Sequence, residues 1–202
     1  IIDNYVISDI LVLLQPLGVT YTKIKKLLSN ESNPALLKEK LLNNPYIMLS
    51  IRGFGFKTVD QLALKLNPNL EHSAKRVYAF INYFLKDIGN TQGHTWLYCS
   101  TLESAIRDNL NECMDIYQTI IENEKKSEMN FHFSENRIGL REYYNEESNT
   151  YNALQKLQLC KPLEINDDDI RIGIEQSEKD QGFSLTDEQK DLVENCSKGN
   201  VS

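Results

Sequence analysis

The segment of the sequence best suited to bind an anion contains two glycines flanked by cations and a hydroxyl. From Arg52 to Thr58 it reads RGFGFKT. A short helix ending before the glycines and another starting after them would gather backbone N–H groups at the positive end of the second helix dipole. Gly53 and Gly55 would permit positive φ and leave no Cβ to hold a phosphate away. Lys57 would add a mobile cation beside Thr58, and Arg52 would flank the other side.

None of these groups reads a base edge, so we predict contact with DNA phosphates, indifferent to base sequence and sensitive to salt. The alternative is that Gly-Phe-Gly merely makes a tight turn between helices, which is the better interpretation of a bare pair of glycines. The helices predicted on both sides and the Lys57-Thr58 pair favour contact with DNA. Phe54, at the tip of the turn, is predicted to pack inward rather than to stack on a base.

The distribution of charge is more informative than its total. The chain carries a net charge of −7, but residues 20–86 hold eleven Lys and Arg against four Asp and Glu. Residues 87–202 hold eleven basic and 23 acidic side chains. Partners respond to local fields, so a basic segment around the turn is typical of nucleic-acid binding. The charge distribution by itself is explained about equally well by a basic helix face that is merely exposed to solvent.

Helical spacing of apolar residues dominates the first 90 residues, so we predict a mainly α fold. Asn33-Pro34 and Asn44-Pro45 each open a helix, since proline is tolerated in a first turn. Their repetition suggests a tandem helix-hairpin-helix bundle over residues 1–90. Further helices are predicted at residues 5–14, 22–28, 56–66 and 73–88.

The next block has a different pattern. Two helices between residues 100 and 121 precede two short strands, Met129–Ser134 and Arg137–Tyr143, which Glu135-Asn136 joins. This order favours a winged-helix-like module over residues 91–160 with a small two-stranded hairpin. A third helix of that module would come from residues 73–88.

Composition excludes several kinds of site. No apolar run is long enough to cross a membrane, so no membrane partner is expected. The four cysteines and three histidines lack metal-ligand spacing, so no metal site is expected. Cysteines without a paired framework suit a reducing compartment, and we expect a cytoplasmic protein. The chain starts without Met, which suggests an excised fragment.

Three segments resemble one known family. Residues 43–66, NNPYIMLSIRGFGFKTVDQLALKL, are similar to the N-terminal region of RecD/TraA-type superfamily-1B DNA helicases (exodeoxyribonuclease V alpha-like), where an NPY segment leads into an RGxGFKTAD-like hairpin. Residues 93–97, GHTWL, are similar to a segment before that family's winged-helix-like block. Residues 185–189, LTDEQ, resemble the entry to its motor, so residues 161–202 would be a linker helix and the start of a truncated motor domain.

The resemblance implies an ATP-dependent helicase, a hydrolase of DNA repair and recombination, moving 5′ to 3′ on single strands. ATP and Mg²⁺ would be cofactors of the full-length parent. The required GxxxxGK[ST] loop is absent from these 202 residues, so we expect no cofactor, catalytic residue or ATP hydrolysis in the fragment itself. Gln189 would contact adenine in the motor; otherwise it is an ordinary exposed helix residue. Pro16 to Thr20 would form an earlier, degenerate hairpin, with Lys23 and Lys26 facing a backbone.

Two functions therefore compete. One is a DNA-binding accessory region that grips single-stranded or forked DNA without sequence preference. The other is a protein-interaction scaffold that docks other subunits of a helicase–nuclease complex. A nuclease fragment is disfavoured because no carboxylate set is evident. DNA binding is favoured if six basic side chains share one face with the turn, and the scaffold is favoured if they scatter. These six are Lys23, Lys25, Lys26, Arg52, Lys57 and Lys65.

Overall fold

The computed structural model describes residues 2–15, 18–31, 33–51, 53–159 and 165–198. The chain divides into two compact units, residues 1–144 (unit 1) and residues 145–202 (unit 2). Mainly helical structure is confirmed, with ten α-helices and three β-strands in the described residues. The elements are α1 (Ile2–Leu14), α2 (Tyr21–Asn30), α3 (Pro34–Asn43), α4 (Phe56–Leu66), α5 (Ala74–Gln92), β1 (Trp96–Tyr98), α6 (Cys99–Leu110), α7 (Met114–Ser127), β2 (Phe131–Ser134), β3 (Arg137–Leu140), α8 (Arg141–Leu159), α9 (Asp167–Gln181) and α10 (Asp187–Lys198).

Asparagine before proline starts three helical segments of unit 1. The Oδ1 of Asn33 accepts hydrogen bonds from the backbone N–H groups of Ala35 and Leu36, at 3.0 and 3.2 Å. Asn44 caps in the same way, but it starts a 3-10 helix, Pro45–Ser50, rather than an α-helix. That segment ends after six residues, because the chain must turn at Gly53 into α4. A side-chain cap and a proline together satisfy and preorganise a first turn.

The core of unit 1 is continuous from α1 to β3. Leu14, Leu41 and Met48 are fully buried where α1, α3 and the 3-10 helix meet. Phe56 opens α4 and packs edge-on against Phe80 of α5, with ring centroids 4.8 Å apart. Each buried side chain of this size contributes about 1.5–3 kcal/mol. The 3-10 helix before the turn at Gly53 and helix α4 after it are therefore anchored by packing of their buried faces.

The strands form one antiparallel sheet in the order β1-β3-β2. The predicted hairpin is confirmed, with β2 and β3 joined through Glu135, whose φ is +52°. Both strands are shorter than predicted: β2 starts at Phe131 rather than Met129, and residues 141–143 belong to α8 rather than to β3. The strand β1 was not predicted. It has only three residues, too few for a visible alternation, and its conformation depends on pairing of Leu97 with Ile138 in β3.

Helix α5 links the turn at Gly53 to this sheet. It continues through Gly89 to Gln92 and ends at Gly93, whose φ of +72° closes the helix. Glu124 of α7 accepts hydrogen bonds from the Tyr78 hydroxyl of α5, at 2.8 Å, and from the Asn130 backbone N–H, at 3.0 Å. Burial by itself raises the pKa of Glu124, but hydrogen bonds from the Asn130 side chain, the Asn130 backbone and the Tyr78 hydroxyl outweigh it and hold the pKa below the ordinary value of 4.5. The winged-helix assignment stays a prediction.

Unit 2 has a small apolar centre. Ile170 and Ile174 of α9 are its buried residues within the described chain. Asn166 caps α9, since its Oδ1 accepts from the Asp169 N–H at 2.8 Å. The predicted boundaries at residues 90 and 160 stay predictions. Among the helices in the described residues, none combines the length and apolar character needed to cross a membrane.

Candidate nucleic-acid interface

The glycine turn (residues 51–55) leaves the start of α4 open. The Phe54 N–H donates to the Ile51 carbonyl at 3.1 Å, and Gly53 has a φ of +92°. Gly55 is the residue before the helix, with φ −85° and ψ 159°, and it supplies no side-chain cap. The N–H groups of the first helical turn have no partner within a helix and need one outside it. Among the described residues, no backbone carbonyl before α4 accepts a hydrogen bond from the N–H groups of residues 56–58, so these groups are open to an anion.

The two glycines serve different purposes. Gly53 confirms the predicted positive φ. For Gly55 that prediction is wrong, because its backbone is extended and any residue can adopt it. A Cβ at Gly55 would lie 3.6 Å from the Tyr83 hydroxyl, an ordinary contact. The value of glycine at position 55 is its lack of a side chain over the exposed helix start.

Phe54 and Lys23 meet at the turn. Phe54 is only 6% exposed, so it packs inward, as predicted. The Lys23 Nζ of α2 lies 3.8 Å from the Phe54 ring centroid, a cation–π contact. This contact brings a cation from a distant part of the sequence to the edge of the turn.

The connection between α1 and α2 has the same backbone form. Gly18 has a φ of +82°, the next residue, Val19, is buried, and Thr20 is extended with no side-chain cap on α2. Positive-φ glycine, buried apolar residue and extended uncapped residue occur in that order in both turns. The predicted tandem arrangement is confirmed by this geometry. Pro16 and Leu17, part of the predicted first hairpin, lie outside the described residues.

The lysines near the turns differ from Lys38 and Lys40 in their partners. Lys38 pairs with Asp9 at 2.7 Å, and Lys40 with Glu31 at 2.6 Å. Among the described residues, no carboxylate pairs with the three lysines predicted to bind DNA. Those are Lys23, which is partly exposed, and Lys26 and Lys57, which are exposed.

The lysines near the two turns and on α4 do not form a single cluster. Lys57 and the exposed Thr58 lie in the first turn of α4. Lys26 comes three positions after Lys23 on α2, so the two lie on neighbouring parts of its surface. Lys65 is in the last turn of α4, roughly 12 Å along the axis from Lys57. Arg52, also predicted to contact DNA, lies outside the described residues.

A buried ion pair holds α4 beneath the turn, and sequence reasoning missed it. The Arg76 guanidinium of α5 donates to both carboxylate oxygens of Asp60 in α4, at 2.9 and 2.8 Å. The Tyr46 hydroxyl donates to the same carboxylate at 2.7 Å. Arg76 also reaches Glu112 at 2.7 Å. No local pattern marks Asp60 and Arg76, which stand 16 positions apart.

This network keeps the Arg76 guanidinium charged and the Tyr46 hydroxyl neutral, and it holds the Asp60 carboxylate away from the surface. Burial lowers the pKa of Arg76, but hydrogen bonds to Asp60 and Glu112 outweigh it and leave the pKa above its ordinary value. Burial, and then the bond to Asp60, raises the pKa of Tyr46. The paired Asp60 carboxylate is therefore satisfied within the protein and presents little repulsion to an approaching phosphate.

Comparison with known protein families gives one match, covering both turns. The ATP-dependent RecD2 DNA helicase HHH domain family matches residues 3–96. We refer to residues 3–96, the range that this family model matches, as the RecD2-type HHH domain. The resemblance to the N-terminal region of RecD-type helicases is confirmed over this range. Comparison with curated proteins finds no significant match.

Most of the described geometry falls inside the RecD2-type HHH domain. Both glycine turns, Lys23, Lys57 and the Asp60–Arg76 pair lie within it. Glu112, which binds Arg76 from outside the matched range, joins the domain to the next block. The family match supports a DNA-binding accessory region, which is the coarser part of the function predicted from sequence.

Gln189 lies beyond the RecD2-type domain, in unit 2. Its Oε1 accepts from the Thr186 backbone N–H at 3.0 Å, and its own N–H donates to the Thr186 hydroxyl at 3.3 Å. These reciprocal bonds form a capping box at the start of α10. The side chain thus has a local structural task, and its contact with adenine stays a prediction. The described residues hold no cluster of three or more His, Cys, Asp or Glu side chains suited to a metal ion.

Proposed function

We propose that the RecD2-type HHH domain holds DNA by its sugar–phosphate backbone, without reading base sequence, beside the motor of an ATP-dependent 5′ to 3′ helicase. The observation that carries this proposal is the uncapped, exposed start of α4, with unpaired lysines next to it. Recombination and repair are the processes in which such a grip would serve. ATP and Mg²⁺ would belong to the motor of a longer protein.

The binding chemistry depends on the turn. A phosphate oxygen would accept hydrogen bonds from the free N–H groups at residues 56–58, where the helix dipole is positive. Lys57 is exposed in the same helical turn and would neutralise part of the phosphate charge. Lys23, which lies over Phe54, would approach from α2. None of these donors faces a base edge, so binding would be independent of sequence.

The turn between α1 and α2 supports a second, weaker contact with the backbone. It repeats the positive-φ glycine and the uncapped helix start. Thr20 carries a side chain where Gly55 has none, so a phosphate would approach less closely. Tandem turns would let the domain track a strand over more than one phosphate.

Fluorescence anisotropy of labelled DNA across a series of salt concentrations tests the proposal. The chain of 202 residues should bind single-stranded, duplex and forked DNA, with log affinity falling linearly as log salt rises. Lys57→Ala should lower the steepness of that line by roughly 0.7–0.9, the value for one neutralised phosphate. Lys23→Ala should act similarly.

Lys38→Ala is the matched control, because Lys38 lies in the same basic segment but pairs with Asp9. It should leave the salt dependence unchanged, and circular dichroism should show that every variant keeps its helices. Equal affinity of the wild type and a Lys23→Ala/Lys57→Ala double variant would refute the turn as the grip. Absence of DNA binding even at low salt would instead favour the scaffold function.

A further inference from the structure

The sheet of unit 1 has one buried and one open face. Pairing places Leu97 of β1 opposite Ile138 of β3, and both are buried in the core. Side chains alternate along a strand, so the neighbouring positions point to the other side. The positions on this other face, called the open face, are Trp96, Tyr98, His132, Ser134, Arg137 and Gly139. Gly139 is buried and His132 is half-buried, whereas the other four are exposed.

Two aromatic side chains are exposed together on this face. Trp96 is 43% exposed and Tyr98 is 51% exposed. Their ring centroids are 5.7 Å apart, with planes at 83°, an edge-to-face arrangement. Single exposed aromatics are common on protein surfaces, but here two are held next to each other on one short strand. Their faces form a surface on which a planar group can stack.

A cation completes this surface. The Arg137 guanidinium lies 4.2 Å from the Trp96 ring centroid. Within the part of the chain that the structure describes, no carboxylate pairs with Arg137. The six open-face positions include no Asp or Glu, although residues 87–202 are strongly acidic overall. The open face therefore offers a positive charge to an anionic partner.

We propose that Trp96, Tyr98 and Arg137 form a stacking platform for unpaired bases of single-stranded DNA, with Arg137 neutralising a neighbouring phosphate. Aromatic faces beside a cation are the elements with which proteins bind single strands without sequence preference. The platform deepens the proposed function, and rests on it, since it takes the same ligand as the glycine turns. Trp96 is also the last residue of the RecD2-type HHH domain, and Tyr98 and Arg137 lie beyond it.

A protein partner is the competing occupant, because Trp, Tyr and Arg are also enriched at protein interfaces. None of the six positions is Asp or Glu, which favours a polyanion; the carboxylate of Glu128 lies 4.0 Å from His132, at the covered side of the face. Gly139 is covered by the backbone of Thr95, because a Cβ at position 139 would lie 2.6 Å from the Thr95 carbonyl oxygen, so the platform is confined to the end of the face that carries Trp96, Tyr98 and Arg137. The far side of the face is covered, since His132 stacks on Tyr144 with centroids 3.7 Å apart.

The intrinsic fluorescence of the chain tests the platform directly, because Trp96 is its only tryptophan. Titration of the 202-residue chain with oligodeoxythymidylate should quench Trp96 emission and protect it from acrylamide. A blunt duplex of equal length should do neither, since its bases are already stacked. Unchanged emission with single strands that bind in anisotropy would overturn the platform and leave the proposed grip intact.

Variants separate the platform from the glycine turn. Tyr98→Ala should weaken single-strand binding about 5- to 150-fold, the range for loss of one stacked base, and Trp96→Phe should retain most of the affinity. Tyr5→Ala, which removes an exposed tyrosine of α1, is the matched control and should change nothing. Equal losses from Tyr98→Ala and Tyr5→Ala would refute the proposal. The Lys23→Ala/Lys57→Ala double variant could bind DNA as tightly as the wild type while DNA still quenches its Trp96 emission. That result would support the platform and refute the grip at the turn.

Discussion

Gly53 shows how one residue sets the shape of the glycine turn. Its φ of +92° lies in a region that residues with a Cβ rarely adopt, yet a Cβ built there would contact nothing within 4 Å. The need for glycine is therefore conformational rather than steric. Gly18 is in the same situation, with φ +82° and open space around it.

Gly53→Ala should destabilise unit 1 by about 1–2 kcal/mol, the cost of forcing a Cβ into a left-handed backbone. Gly18→Ala should cost a similar amount. Gly53→Asn should cost less, because asparagine adopts positive φ more readily. Urea unfolding monitored by Trp96 emission measures all three. Stabilisation by Gly53→Ala would show that the turn relaxes to another conformation.

At the scale of secondary-structure elements, the Asp60–Arg76 ion pair joins α4 to α5. Only 8% of the Arg76 side chain and 11% of the Asp60 side chain are exposed. Tyr46 ties the 3-10 helix into the same cluster, so the segments on both sides of the glycine turn are held by one polar network. This network therefore links the glycine turn to α5.

Asp60→Asn should destabilise unit 1 by about 3–5 kcal/mol, because it leaves the Arg76 charge without its main partner in a buried site. Lys38→Ala is the control: it breaks an exposed pair, with side chains 35% and 59% exposed, and should cost less than about 1 kcal/mol. The same urea experiment compares them. Equal effects of the two substitutions would contradict a special role for the buried pair.

On the scale of the whole molecule, the two units differ in how many apolar side chains they bury. The continuous core lies within residues 10–140. Helix α8 contributes no buried residue, and Ile170 and Ile174 are the buried residues among the described part of unit 2. The basic segment, both glycine turns and the aromatic platform all belong to unit 1.

A chain shortened to residues 1–150 should therefore keep the urea midpoint of the full chain when Trp96 emission is monitored. A separate piece covering residues 145–202 should show weak, non-cooperative helical dichroism, since so small a chain with few buried side chains is marginally stable. A clear drop in the midpoint of the shortened chain would mean that unit 2 stabilises unit 1.

Much of the fold was predictable because it depends on neighbouring residues. Asn-Pro pairs marked helix starts at positions 33 and 44, since cap and proline act within one turn. Glu135-Asn136 marked the β2–β3 hairpin. The strand β1 and the contact of Lys23 with Phe54 were not predictable, because each depends on packing between segments far apart in the sequence.

By itself, the sequence determined the glycine turn, its basic surroundings and the helices on either side, since backbone conformation and local hydrogen bonds depend on adjacent residues. It also determined the resemblance that the family match over residues 3–96 confirms. Only the tertiary structure decided which cation lies at the turn, which acid neutralises Arg76, and that Trp96, Tyr98 and Arg137 share an open face. Those positions depend on the burial of apolar side chains across the whole of unit 1, which no local pattern encodes.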